Sequence, residues 1–173
     1  MRIEQVMRRD LARIAPEEPL SRLVEWYANP GGRSRYTYVV DANGRLLGVV
    51  TMLELLNAFM DGGHGQDSSD EQELARIGRA LEAKKCLPVS TLMRADLPTV
   101  APDAPLLAAR PLLRERGVTA LPVVDAAGRL KGEVTRRLLL RLLDAMLRDP
   151  GLAALRTGCT QPDEGTGSEF FVG

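Results

Sequence analysis

Apolar positions along the chain fall into two sets that repeat one another. Residues 36–40 (YTYVV) and 46–50 (LLGVV) are short apolar runs separated by Asp41-Ala42-Asn43-Gly44-Arg45. Residues 120–124 (ALPVV) and 130–134 (LKGEV) follow the same plan around Asp125-Ala126-Ala127-Gly128-Arg129. β-Branched runs that bracket an Asp/Asn/Gly turn predict a β-hairpin in each half. Each second strand is followed by a threonine, Thr51 or Thr135, that begins a helix. Upstream, a short helix is expected to end at a Met-Arg. A brief extended piece follows it, Arg13-Ile14 or Thr99-Val100. A Pro-x-x-Pro-Leu then opens a helix with proline in its tolerated first turn. In the second half that helix is expected to run to about Arg116 and stop at Gly117.

The repeat is literal in places. Residues 7–20 (MRRDLARIAPEEPL) and 93–106 (MRADLPTVAPDAPL) share eight of fourteen positions at an offset of 86. Residues 39–51 (VVDANGRLLGVVT) and 123–135 (VVDAAGRLKGEVT) share ten of thirteen, at an offset of 84. The two extra residues of the first half fall near Asn29-Pro30-Gly31-Gly32, where a loop absorbs them cheaply. The expected class is therefore α/β (α+β), built from two β-α-β-β-α repeats. The expected divisions are residues 1–60 for repeat one, 61–85 for a loop and linker helix, 86–148 for repeat two, and 149–173 for a tail.

Within the linker, residues 61–69 (DGGHGQDSS) are Gly/Ser/Asp-rich and read as a loop. Residues 70–85 read as a helix with Glu71 and Glu73 in the first turn and Lys84 and Lys85 in the last, matching the helix dipole. Leu74, Ile77 and Leu81 form a narrow apolar stripe on it. In the last helix, Leu138, Leu139, Leu142, Leu143 and Met146 form one broad stripe, and Leu140 and Leu147 lie on another face. A helix apolar on two faces is usually covered twice, so a homodimer is expected. Trp26 and Tyr27, at the end of the first long helix, read as core or interface.

Composition narrows the function classes. Lysine plus arginine and aspartate plus glutamate both number 23. A formally neutral chain lacks the surplus of positive charge on which nucleic-acid binding rests. The opening MRIEQVMRRD has no apolar run, so no secretory signal is expected. No stretch approaches the ~20 apolar residues of a membrane span. Cys86 and Cys159 are far apart and lack metal-like spacing, and a reducing cytoplasm is the expected location. His64 is the single histidine, so a zinc site is unsupported. Neither cysteine has an evident base.

The doubled hydrophobic-Val-Val-Asp-x-x-Gly-Arg block, with its Gly-x-Val-Thr ending and Met-x-x-Asp…Pro-x-x-Pro opening, resembles the cystathionine beta-synthase (CBS) domain family. The resemblance implies two repeats packed about a pseudo-twofold axis as one Bateman-type module, and homodimerisation of such modules. It also implies an adenosine compound (AMP, ADP, ATP or S-adenosylmethionine) bound between the repeats. Occupancy would then be reported to an attached or separate enzyme, channel or transporter.

In the family the second strand ends Gly-h-h-Thr/Ser-x-x-Asp, with h hydrophobic. Its hydroxyl meets a ribose or phosphate oxygen, and its carboxylate accepts from paired ribose hydroxyls. Repeat one matches with Gly48, Thr51 and Glu54, the acid one methylene longer. Repeat two keeps Thr135 but has Leu138 in place of the acid, while Arg136 and Arg137 could meet a phosphate at the helix start. Just before the hairpin, repeat one offers Arg33, Ser34 and Arg35, and repeat two the uncharged Val118 and Thr119. The stretches matching the family's adenine slot start at Ile14 and Val100. Each of these residues also has a plain structural reading. Thr51 and Glu54 make a capping box, Thr135 is a good N-cap, and Ile14 and Val100 suit packing. The expected function is a non-catalytic ligand sensor. The alternative is a structural or protein-interaction dimer with degenerate ligand sites. No enzyme is expected.

Overall fold

The computed structural model describes residues 1–29, 36–60, 69–115 and 118–149. The chain divides into two compact units, Met1–Arg136 and Arg137–Gly173. Both hairpins lie in the first. Its elements are β1 (Arg13–Ile14), α1 (Leu20–Ala28), β2 (Tyr36–Val40), β3 (Leu46–Thr51), α2 (Met52–Met60), α3 (Asp70–Lys84), α4 (Ala109–Glu115), β4 (Ala120–Val124) and β5 (Leu130–Thr135). α5 (Arg136–Arg148) carries the described part of the second. Among the described residues no helix is long and apolar enough to cross a membrane.

The two hairpins are near copies. β2 pairs antiparallel with β3, and β4 with β5, with a bulge at the same place, Val39/Val40 and Val123/Val124. Each turn is closed by its aspartate. Asp41 accepts the backbone N–H groups of Asn43 and Arg45, and Asp125 those of Ala127 and Arg129. Gly44 and Gly128 both take φ of 76°, a left-handed conformation that glycine adopts without steric cost. The Asp125 carboxyl is held well below the usual carboxylate range, first by the Arg129 backbone N–H.

One strand is not duplicated. β1 adds to β2 in parallel, and the Tyr38 N–H donates to the Ala12 carbonyl. At the matching position repeat two has Pro122, which has no N–H to donate. The expected second strand around Thr99-Val100 shrinks to a single bridge between Val100 and Val123. The prolines of Pro-x-x-Pro-Leu also sit differently from expectation. Pro19 caps α1 with extended backbone, and Pro105 caps a 3-10 turn, Leu106–Ala108, that leads into α4. The expected stop at Arg116 and Gly117 lies outside the described residues.

Each repeat's opening segment crosses to the other repeat. The N-terminal 3-10 turn, Ile3–Gln5, bonds to repeat two through Ile3 N–H to Ala104 O and Glu4 N–H to Pro102 O. The matching turn, Val89–Thr91, bonds to repeat one through Val89 N–H to Glu18 O and Ser90 N–H to Pro16 O. The chain then runs against the other repeat's second strand. Arg94 and Val49 exchange a pair of backbone hydrogen bonds of 2.9 and 3.0 Å, and Arg8 and Glu133 do the same. The two turns also touch, through Leu46 N–H to Gly128 O and Leu130 N–H to Gly44 O.

Each face of the first sheet therefore has its own core. Val39 and Val50 face α1 and α2 in a cluster with Ile14, Leu20, Leu23, Leu55, Phe59 and the crossed-over Val89. Tyr38 and Val49 pack on the opposite face with Leu130 of repeat two. Trp26 and Tyr27 pack against the first cluster, and the Tyr27 hydroxyl bonds Thr37 and the Val50 carbonyl. The linker helix forms over Asp70–Lys84 with Ser69 as its N-cap. No residue of it is buried, so its apolar stripe is not core; Lys84 Nζ ties it to the α2 carbonyl of Ala58.

The crossing demands glycine. A Cβ on Gly48 would lie 2.6 Å from the Arg94 carbonyl oxygen, and one on Gly132 would lie 2.8 Å from that of Arg8. Either replacement pushes the crossed segment off its strand. Gly48→Ala and Gly132→Ala are each expected to cost about 1–3 kcal/mol of unfolding free energy. Gly78→Ala, on open α3 surface, is expected to add about 0.5–1 kcal/mol. Urea denaturation of the three variants checks both signs.

Candidate functional site

The end of β3 and the first turn of α2 form one wall of a cleft of about 270 Å³. Thr51, Leu53, Glu54 and Asn57 come from that wall. Tyr36, Tyr38 and Val49 supply the sheet side, and Val118, Thr119, Ala120 and Pro122 are contributed by repeat two. Arg94 and Leu97, from the crossed-over segment, complete the lining. A shallower groove along residues 94–98 continues from it, sharing Arg94, Leu97 and Val118. The cleft is thus lined by aromatic and aliphatic residues together with Thr51, Glu54, Asn57, Arg94 and Thr119.

Thr51 and Glu54 make a full capping box. Glu54 Oε2 accepts the Thr51 N–H at 2.6 Å and the Thr51 hydroxyl at 2.9 Å, and Thr51 Oγ1 accepts the Glu54 N–H at 3.3 Å. The other carboxylate oxygen, Oε1, takes Arg94 Nε at 2.7 Å. A carboxylate offers about four lone-pair sites, and three are filled. One remains for a hydroxyl from outside. The Arg94 side chain is 53% exposed, so guanidinium donors beyond Nε reach solvent.

Among the described residues Thr51 and Glu54 line this cleft, as do Val118 and Thr119 at repeat two's counterpart of Arg33–Arg35. Ile14 is enclosed in the first core, paired with Val39. Val100 is buried beside Val123. Neither lines the cleft. Thr135 ends β5 opposite Ala120. Arg136 donates Nη2 to the α4 carbonyl of Leu113 and its backbone N–H to Thr119 O, so it has a capping task. Arg35 and Arg33 lie outside the described residues, as does His64. Among the described residues no three His, Cys, Asp or Glu side chains gather to hold a metal ion.

Arg94 escaped the sequence reading because its partner is 40 positions away and in the other repeat. The available hint was its place in the doubled Met-Arg motif. The same holds for the mate of Arg94, Arg8. Arg8 Nη2 meets Glu133 Oε1 at 2.6 Å, and the Tyr38 hydroxyl donates to Glu133 Oε2 at 2.7 Å. Glu133 stands at the repeat position of Val49 and is 1% exposed. Tyr38, itself 1% exposed behind the cleft, thus anchors a buried carboxylate with its hydroxyl.

A CBS domain family model matches residues 3–61 and 89–145. A CBS domain-containing protein of Dictyostelium discoideum is 34% identical over 109 residues, 63% of this chain and 69% of that protein. The crystal structure of CBSX2 in complex with AMP superposes with a TM-score of 0.65 at 23% identity, covering 85% of this chain and 98% of that one. The CBS domain pair of protein MJ0100, in complex with 5-methylthioadenosine and S-adenosyl-L-methionine, gives 0.59 at 16% identity over 84% and 97%.

The Tyr38 phenol is pushed up from its usual 10.0, first by burial and then by the Glu133 carboxylate. A group with a higher pKa folded than unfolded gives stability that is complete below the unfolded value and fades as pH rises through it. Tyr38→Phe is therefore expected to cost about 1–3 kcal/mol near neutral pH, by taking a donor from a buried carboxylate. It also removes part of the stability loss above about pH 10. Urea titrations at pH 7 and at alkaline pH measure both; a cost under ~0.5 kcal/mol would dismiss the hydroxyl as an anchor.

Proposed function

The chain belongs to the CBS domain family, and on that premise we propose a non-catalytic regulatory module that binds a small adenosine-type effector in the cleft at Thr51 and Glu54. AMP, ADP, ATP and S-adenosylmethionine form the candidate class. The observation that carries the reading is the composite cleft itself. Thr51, Glu54, Asn57 and Arg94 line it together with Tyr36, Tyr38, Val49 and Pro122. Flat apolar walls suit a purine, and the spare lone pair of Glu54 suits a ribose hydroxyl. The complexes of CBSX2 with AMP and of the MJ0100 pair with adenosine compounds support the class.

Because the lining comes from both repeats, a bound effector favours one arrangement of them over another. Such differential binding is what a regulatory site requires. The output is an unidentified enzyme or transporter, and the setting is cytoplasmic. Residues 1–60, 61–85, 86–148 and 149–173 serve as repeat one, linker, repeat two and tail. A homodimer is part of the proposal. α2 leaves Met52, Leu56 and Met60 exposed, and α5 leaves Leu140, Leu143 and Leu147 exposed. The competing reading, an interaction dimer with degenerate clefts, draws on the capping work that already engages Glu54.

Two measurements decide. Calorimetric titration with AMP and S-adenosylmethionine is expected to show binding that Glu54→Ala weakens about tenfold, the worth of a hydrogen bond to a charged group. Absence of binding by either compound favours the interaction reading, and equal affinity in wild type and variant removes Glu54 from the site. Light scattering at micromolar concentration is expected to give a mass near twice 18.9 kDa, and a monomer would remove the dimer.

A further inference from the structure

Resting on the adenosine reading of the cleft, we propose that Tyr38, Glu133 and Arg8 form a chain that passes occupancy of the cleft to the N-terminal crossing segment, with Glu133 as its joint.

Glu133 is a buried acid that binding at Thr51 and Glu54 does not use. It stands at the repeat position of Val49, a lining residue of the cleft, and is 1% exposed. A buried ion pair is a poor source of stability, since apolar residues of similar volume often serve as well or better. What it supplies is a defined geometry among the parts it joins. Three parts meet here. Glu133 belongs to β5, its Oε2 accepts the hydroxyl of Tyr38 from β2, and its Oε1 meets Nη2 of Arg8 from the N-terminal segment. The backbone repeats the tie, because the Arg8 N–H donates to Glu133 O and the Glu133 N–H to Arg8 O.

Tyr38 is the end of the chain at the cleft. It lies behind the lining and packs with Val49 of the cleft wall and Leu130 of repeat two. A close-packed side chain has no room to shift alone, so an effector seated against this wall pins Tyr38 and, through its hydroxyl, the Glu133 carboxylate. Arg8 is the end at the surface. Its side chain is 40% exposed, and its Nε is buried without a hydrogen-bond partner. A buried donor left unpaired is costly, and release into water would satisfy it. Arg8 therefore has two arrangements, one on Glu133 and one in water, and a pinned carboxylate favours the first. A two-way element biased from a distant site is the physical basis of coupling.

Amide hydrogen exchange reads the two crossings separately, since residues 8 and 133 form one backbone pair and residues 49 and 94 the other. The probes are AMP and S-adenosylmethionine, each at a concentration that calorimetry shows to saturate the variant under study. In wild type, ligand is expected to slow exchange at residues 8 and 133 by about fivefold or more. Glu133→Val, which copies repeat one, is expected to cut that response to less than about twofold while residues 49 and 94 stay slowed. An undiminished response at residues 8 and 133 in the variant overturns the chain, and so does a wild type that responds at residues 49 and 94 alone. Without ligand, Glu133→Val is expected to speed exchange about tenfold at residues 8 and 133 and less than about twofold at residues 49 and 94. Equal acceleration at both crossings overturns the chain, since the acid would then serve global stability alone. If neither compound binds wild type, the adenosine reading falls and the ligand-free comparison still decides whether Glu133 governs the crossing. Should Glu133→Val not fold, the double variant Tyr38→Phe/Glu133→Val, which removes the buried hydroxyl together with the acid, takes its place with the same expectations.

Discussion

The exchange of opening segments is the constraint on which the rest of this structure depends. Val89, Leu92 and Met93 belong to repeat two in sequence but pack against the core of repeat one. Ile3, fully buried, is bonded to repeat two. A small β-α-β-β-α unit has too little surface to bury on its own. Lending its first turn to a partner gives each half a complete core only in the presence of the other. The folding unit is then the pair, and the cleft comes with it.

The exchange also sets the chemistry. After its 3-10 turn, the second crossing segment lies beside β3 at Gly48 and Val49, one turn short of the α2 start. Arg94 is the residue that the register places there, and its guanidinium meets Glu54. An argument from either repeat alone finds the acid and the hydroxyl but not the cation. The glycine at 48 is needed for approach rather than for backbone angle, in contrast to Gly44, where φ is positive and space is open. The two glycines lie four residues apart and serve different physical ends.

Local features were legible in the sequence. The hairpins, the Asp-closed turns, the linker helix and the Thr51–Glu54 capping box all rest on contacts between residues at most a few positions apart. The lost second strand was legible in principle, since Pro122 is visible and lacks a donor. What pattern could not supply was pairing across repeats. Arg94 with Glu54, Arg8 with Glu133 and Tyr38 with Glu133 join residues from 40 to 125 positions apart. Glu133, standing where repeat one has Val49, was a sign of such a pairing, because a buried acid demands partners.

The two crossing arginines show how a duplicated motif diverges through the placement of one carboxylate. Arg94 and Arg8 occupy the same motif position and make the same backbone pair with the opposite strand. In repeat one the acid stands on the helix, at Glu54, where it caps and lines an open cleft. In repeat two the helix position holds Leu138, and the acid stands instead on the strand, at Glu133, sealed by Tyr38. The Arg94–Glu54 pair keeps its arginine 53% exposed and its acid 22% exposed, so water can replace part of what either partner loses. A buried carboxylate that loses its partners has no such replacement. The same two residue types therefore make a partly solvated contact in one half and a sealed one in the other. Tyr38 is common to both, a buried residue behind the cleft whose hydroxyl holds the fixed acid.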